Sequence, residues 1–84
     1  MNISIVYVNY KTARLILDSI KSVKEKTEDV DYEIIVVDNA SGDGSLELIQ
    51  KQYPEVICVQ ADENMGFGRA NNLGMTYASG DCIL

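Results

Sequence analysis

The stretch Glu33-Ile34-Ile35-Val36-Val37-Asp38-Asn39-Ala40-Ser41 constrains the fold of this chain more than any other. Its apolar part is short, unbroken and rich in β-branched residues. Such a run predicts a strand buried on both faces, as in the middle of a parallel sheet. The run stops abruptly at Asp38 and passes through Asn39 and Ser41 to Gly42. In open α/β sheets the ligand crevice lies beyond the carboxyl ends of the strands, where the strand order reverses. Asp38 is therefore placed where a functional carboxylate would stand.

The rest of the chain flanks this strand. Residues 3–8 form a second β-rich run that ends in Asn9-Tyr10-Lys11-Thr12. Thr12 is the expected N-cap of a helix over residues 13–26. On that helix Ala13, Ile16, Ile20 and Val23 recur at helical spacing with Leu17 beside them, and Asp18, Lys21, Lys24 and Glu25 take the outer face. Residues 27–31 make a polar acidic connection. After the central strand, Asp43 or Ser45 can cap a helix over residues 45–52, with Leu46, Ile49 and Tyr53 inward and Pro54 as its stop. Residues 55–60 predict a third strand, and residues 61–68 a long loop rich in Asn and Gly. A third helix is expected over residues 69–78, with Ala70, Leu73, Gly74 and Tyr77 on one face and Ser79-Gly80 as its end. Gly74 on that face would let the helix approach the sheet closely. Residues 81–84 open a fourth strand.

Alternation β-α-β-α-β-α-β implies an α/β fold with a parallel sheet, right-handed crossovers and helices on its faces. A strand of four residues is an unfinished end for such a fold. The expectation is that residues 1–84 are the N-terminal, incomplete part of a longer protein. With 84 residues there is at most one small domain. The net charge of −6 disfavours non-specific binding to nucleic acid or anionic lipid. The sequence contains no His, so a base or metal ligand must be a carboxylate or Cys. Cys58 and Cys82 lack CxxC spacing and are expected to be buried thiols in a reducing compartment. No run approaches the roughly 18 apolar residues of a membrane span, and the N-terminus lacks the features of a signal peptide. The expected location is the cytoplasm.

Three loops leave the carboxyl ends of strands: Asn9-Tyr10-Lys11, Asp38-Asn39-Ala40-Ser41, and residues 62–68. The first offers an aromatic face and an amide to a base, and the second an acceptor for a base N–H or a ribose hydroxyl. The third leads into a helix N-terminus, where exposed N–H groups favour an anion and Arg69 could pair with phosphate. Plainer roles stand beside these. Tyr10 could simply cover the sheet end, Asp38 could cap its own turn, and Asn64, Asn71 and Asn72 could be turn and cap residues. Asp62 and Glu63 fit a solvated loop face. Gly66-Phe67-Gly68 is not a GxGxxG fingerprint, and there is no Walker motif.

Three segments together carry a resemblance: Ser4-Ile5-Val6-Tyr7-Val8-Asn9-Tyr10, then Ile34 through Ser45, then Glu63-Asn64-Met65-Gly66-Phe67-Gly68-Arg69-Ala70-Asn71-Asn72-Leu73-Gly74. In order and spacing the chain resembles the start of family 2 glycosyltransferases, in the branch with rhamnosyltransferase-like members. The resemblance implies a GT-A fold, a Rossmann-like architecture in which this part binds the nucleotide of a sugar donor. It implies that Val8, Asn9 and Tyr10 lie against the base, and that Asp38 contacts base or ribose with Asn39 and Ser41 beside it. Asn39 stands where many members have a second Asp. The segment with Gly66, Phe67, Arg69, Asn71 and Asn72 is similar to the loop and helix that close over the nucleotide. Asn71 stands where many members have Arg, and Arg69 is two positions earlier.

The activity so implied is inverting, metal-dependent transfer from a UDP- or dTDP-sugar to a hydroxyl of a glycan or lipid-linked acceptor, in polysaccharide synthesis. The implied location is cytoplasmic or membrane-peripheral. In the family an acidic motif that holds Mg or Mn and a carboxylate base follow the fourth strand. Neither is present here, so this stretch alone is expected to be inactive. The implied strand order is 3-2-1-4. Cys58 and Cys82 would then lie three inter-strand steps apart, about 14 Å, too far for a disulfide, which needs Cα atoms within about 7 Å. An uncovered fourth strand invites pairing with another copy. A non-catalytic nucleotide-binding or regulatory module is the alternative. A flavodoxin-like or receiver-like domain fits less well, since Asn9-Tyr10 stands where acidic residues would be needed.

Overall fold

The computed structural model describes residues 3–27, 31–80 and 82–83 of the chain. The elements run β1 (Ile3–Asn9), α1 (Ala13–Lys26), β2 (Tyr32–Asp38), α2 (Ser45–Gln52), β3 (Ile57–Gln60), α3 (Phe67–Met75) and β4 (Cys82–Ile83). The strands form one parallel sheet in the order β3-β2-β1-β4. This is the expected alternation and strand order. The order reverses between β1 and β4, where α3 carries the chain back across the sheet.

Alternation along the strands sorts the core into two layers. Ile34 and Val36 of β2 pack with Ile16 and Ile20 of α1, Ile49 of α2 and Val56. Ile35 and Val37 face the other way and pack with Val59 of β3 and Ala70 of α3. From Ile34 to Asp38 every residue of β2 is buried, as the central run predicts. Ile20, Ile35 and Ile49 are fully enclosed, and each such side chain contributes about 1.5–3 kcal/mol. Leu46 and Tyr53 pack on the first layer as expected.

Gly74 is what lets α3 lie so close to the sheet. A Cβ there would stand 2.5 Å from Val6 Cγ1 and 2.9 Å from Val37 Cγ2. The chain then returns to β4 over a second polar anchor at the opposite end of the strands. Glu33 Oε2 accepts hydrogen bonds from Ser4 Oγ (2.6 Å), Ser79 N–H (2.6 Å) and Ser79 Oγ (2.9 Å). Ser4 Oγ in turn accepts from the Gly80 N–H at 2.8 Å.

Several boundaries differ from expectation. β1 runs on through Asn9, because that side chain is fully buried and satisfied. Thr12 makes no side-chain cap, since its N–H and hydroxyl both donate to Asn9 Oδ1 at 3.1 Å. Asp43 accepts from the N–H and the hydroxyl of Ser45 at the start of α2, with Gly44 as the left-handed residue before it. β3 begins at Ile57, since Pro54 sits in a turn closed by the Val56 N–H to the Tyr53 carbonyl. α3 spans Phe67–Met75 and so starts earlier and ends sooner than residues 69–78. Tyr77 lies beyond it, half exposed, and Ser79-Gly80 serves the Glu33 anchor instead of the helix end.

Lys24 is not simply outward. It pairs with Glu55 and lies 5.5 Å over the Tyr53 ring. Cys58 is a free thiol on β3, with β2 and β1 between it and β4. Residues 28–30 of the acidic connection, Asp81 and Leu84 lie outside the described residues. No described helix is long and apolar enough to cross a membrane.

Candidate functional site

The parallel register sets three polar residues side by side at the carboxyl edge. Asn9 of β1 is level with Asp38 of β2, and Asp38 with Gln60 of β3. Asp38 is the hub of this row. Its Oδ1 accepts from Asn9 Nδ2 (2.8 Å) and Ser41 Oγ (2.7 Å), and its Oδ2 from the Ser41 N–H (3.2 Å) and Gln60 Nε2 (3.1 Å). An ionised carboxylate has about four acceptor directions, and chain donors fill them here. Burial works against the charge, but the donors from Ser41, Asn9 and Gln60 outweigh it. The Asp38 carboxyl is therefore held below the usual carboxylate range.

The row also fastens the loops that leave it. Ser41 Oγ accepts from the Lys11 N–H at 2.9 Å, which ties the first loop to the second. Asn39 ties the second to the third: its Nδ2 donates to Asn64 Oδ1 (3.1 Å), and its Oδ1 accepts from the Met65 N–H (3.0 Å). Asn64 Oδ1 also accepts from the Gly66 N–H at 3.0 Å. Lys11, Ala40 and Gly42 hold left-handed backbone with φ of 58°, 61° and 69°. For Lys11 and Ala40 that conformation is costly, and the hydrogen bonds around them hold it.

The residues singled out in the sequence fall into two groups. Asn9, Asp38, Asn39 and Ser41 are buried and form the brace. Tyr10, Phe67, Arg69 and Asn72 stand exposed on it, and Asn71 is half-buried. Lys11 Nζ lies 5.3 Å over the Tyr10 ring. Arg69, in the first turn of α3, has no partner among the described residues. Val8 is half-buried and packs with the layer under α3. Gly66 precedes α3 at φ 80°, a backbone that disfavours a side chain. The sequence reading missed Gln60, whose role depends on strand register, and left Asn64 between a turn or cap role and a place in the motif that carries the family resemblance.

Beyond Asp38 opens a groove of about 530 Å³, walled by the loop from Ala40 to Gly44, the start of α2, and Gln60-Ala61-Asp62. It offers acceptors and backbone groups to a polar ligand. Among the described residues no three His, Cys, Asp or Glu side chains come together to hold a metal ion. The one buried carboxylate at this edge is already saturated. The described residues therefore do not fit a divalent cation.

Residues 4–84 match the family model described as glycosyl transferase family 2. The chain belongs to this family. An uncharacterised glycosyltransferase of Nostoc sp. is 37% identical over 86 residues, covering 99% of this chain and 26% of that protein. The poly(ribitol-phosphate) beta-glucosyltransferase of Bacillus spizizenii is 36% identical over 89 residues, covering 100% of this chain and 14% of that protein. The structure of S. aureus TarS 1–349 with UDP superposes with a TM-score of 0.86 at 23% identity, over 100% of this chain and 26% of that one. The mannosyltransferase PcManGT of Pyrobaculum calidifontis, solved with GDP-Man and Mn2+, gives 0.82 at 24% identity, over 98% and 26%. The fold is thus that of the GT-A glycosyltransferases. The chain spans about a quarter of the Nostoc relative.

Proposed function

We propose that this chain forms the donor-nucleotide-binding part of an inverting glycosyltransferase. The whole protein would move a sugar from a UDP- or dTDP-sugar to a hydroxyl of a glycan or lipid-linked acceptor, in polysaccharide synthesis. One observation carries the reading: the Asn9–Asp38–Gln60 row and the Asn39–Asn64 pair lock three strand-end loops into one rim. Tyr10, Phe67 and Arg69 stand exposed on that rim. A fixed rim holds a ligand without first having to be ordered. Tyr10 offers a ring to a base, and Arg69 a cation to the diphosphate. Asp38, Asn39 and Ser41 position the loops that meet base and ribose. Gly66, Asn71 and Asn72 take the side toward the phosphates, and Val8 lies with Asn9 and Tyr10 on the side toward the base.

The family membership and the UDP in the TarS structure support a nucleotide ligand. The Bacillus spizizenii relative, named for glucosyl transfer to a ribitol-phosphate polymer, supports a polymeric acceptor. The motif resemblance is to the branch with rhamnosyltransferase-like members. The Mn2+ in the PcManGT structure supports metal dependence of the whole enzyme, with ligands outside the described residues. This chain alone would bind nucleotide and transfer no sugar. A cytoplasmic setting suits the free Cys58 thiol, with peripheral membrane contact where the acceptor is lipid-linked. Self-association through the β4 edge belongs to the same reading, and a single monomer across concentrations in sedimentation would overturn it.

Calorimetric titration with UDP, dTDP and GDP tests the core of the proposal. Saturable binding of UDP or dTDP, tighter than of GDP, is expected; heat of dilution alone for all three would refute it. A non-catalytic nucleotide-binding module is favoured by one observation, the lack of a metal-holding cluster among the described residues. Sugar transfer by the native protein would exclude it.

A further inference from the structure

Gln60 is the last residue of β3, level with Asp38, and is exposed on the wall of the groove. Its amide nitrogen lies 3.0 Å from the Ala61 carbonyl, 3.1 Å from Asp38 Oδ2 and 3.4 Å from the Asp38 carbonyl. All of these can only accept. Two N–H groups serve them, one shared between the two Asp38 oxygens. The flipped amide would set oxygen against oxygen at every contact, one of them a carboxylate. The network therefore fixes which end of the amide is which. The amide oxygen is left over as an acceptor, and no described donor reaches it. The other charged side chains on the groove wall are Glu47 and Asp62, with no Lys or Arg among them. An anionic phosphate is disfavoured there, while an uncharged group that carries an N–H or O–H is favoured.

We infer that Gln60 is a specificity-determining residue of the donor site, its amide oxygen accepting a hydrogen bond from an N–H or O–H of the nucleoside. This rests on the nucleotide reading above. Asp38 is then a positioning residue for Gln60, holding the amide nitrogen so that the oxygen faces the ligand.

The test uses the 84-residue chain with UDP, N3-methyl-UDP, 2′-deoxy-UDP and 3′-deoxy-UDP. One analogue should bind about three- to tenfold more weakly than UDP, as loss of one neutral hydrogen bond requires. Gln60→Ala should weaken UDP by the same factor and leave that analogue unchanged. The analogue that responds tells base from ribose. In wild-type chain labelled with ¹⁵N, the Gln60 side-chain amide should shift on saturation with UDP, and less with that analogue, which needs no variant to fold. Equal binding of all four ligands overturns the inference. So does a Gln60→Ala loss that is uniform across them, or a Gln60 amide that UDP leaves unmoved. Failure of UDP itself to bind removes the nucleotide reading, and this inference with it.

Discussion

The Asp38 carboxylate shows how one residue organises this edge. It is buried, charged and held by partners from three strands or the loops they feed, one of them 29 residues away in sequence. Asp38→Asn would turn one accepting oxygen into a donor facing chain donors. The expected cost is about 1–3 kcal/mol, the penalty of an unsatisfied buried group, read as a lower urea midpoint at pH 7. The same bonds give a pH dependence. Because the folded pKa lies below the ordinary value of about 3.9, the stabilisation is present above that value. It is lost as pH falls through the lower, folded one. Glu33, whose carboxyl is likewise lowered by its Ser4 and Ser79 bonds, adds to this slope. Urea midpoints between pH 2 and 6 should fall with acidification, and less steeply for Asp38→Asn than for wild type.

The position of Asp38 was legible in the sequence, because an apolar run that ends in a carboxylate marks a strand end. Asn9 was taken for a loop residue, since nothing local tells a buried, bonded Asn from a solvated one. Gln60 carried no signal at all, since its partner is set by register.

At the scale of elements, α3 lies on the sheet through Gly74. Gly74→Ala would gain about 1 kcal/mol of helix propensity and meet Val6 and Val37 inside van der Waals contact. Overpacking of this kind costs about 1–3 kcal/mol. A lower melting temperature is expected, by several degrees at this chain length; a higher one would mean that α3 stands off the sheet. The helix itself and the close approach of Gly74 could be read from the spacing of Ala70, Leu73 and Gly74. Its ends could not. The start depends on the positive φ of Gly66, and the end on Glu33 drawing Ser79 away, which joins residues 46 apart. Likewise Pro54 stops α2 as expected, but the turn it enters also delays β3 to Ile57.

At the scale of the whole molecule, the chain has a radius of gyration of 12.1 Å, close to the about 12 Å of a compact domain of this length. With two packed layers on one sheet, a cooperative urea transition is expected; a gradual loss of structure would contradict it. The alternating pattern was enough to fix the fold class, because right-handed crossovers leave few choices, while the strand order followed from the family resemblance. Since no described carboxylate cluster holds a cation, UDP affinity of this chain should change less than about twofold between excess EDTA and millimolar manganese. A manganese-dependent gain of tenfold or more would place a metal site within these residues.

The central claim is that the braced carboxyl edge is a nucleotide site, and an amide-resolved NMR titration with UDP tests it most directly. The predicted result is a dispersed spectrum with saturable shifts at residues 9–11, 38–44, 60–62 and 64–72, and little change around Glu33 and Ser79 at the other end of the strands. A dispersed spectrum that UDP leaves unmoved, or shifts centred away from those loops, would contradict it.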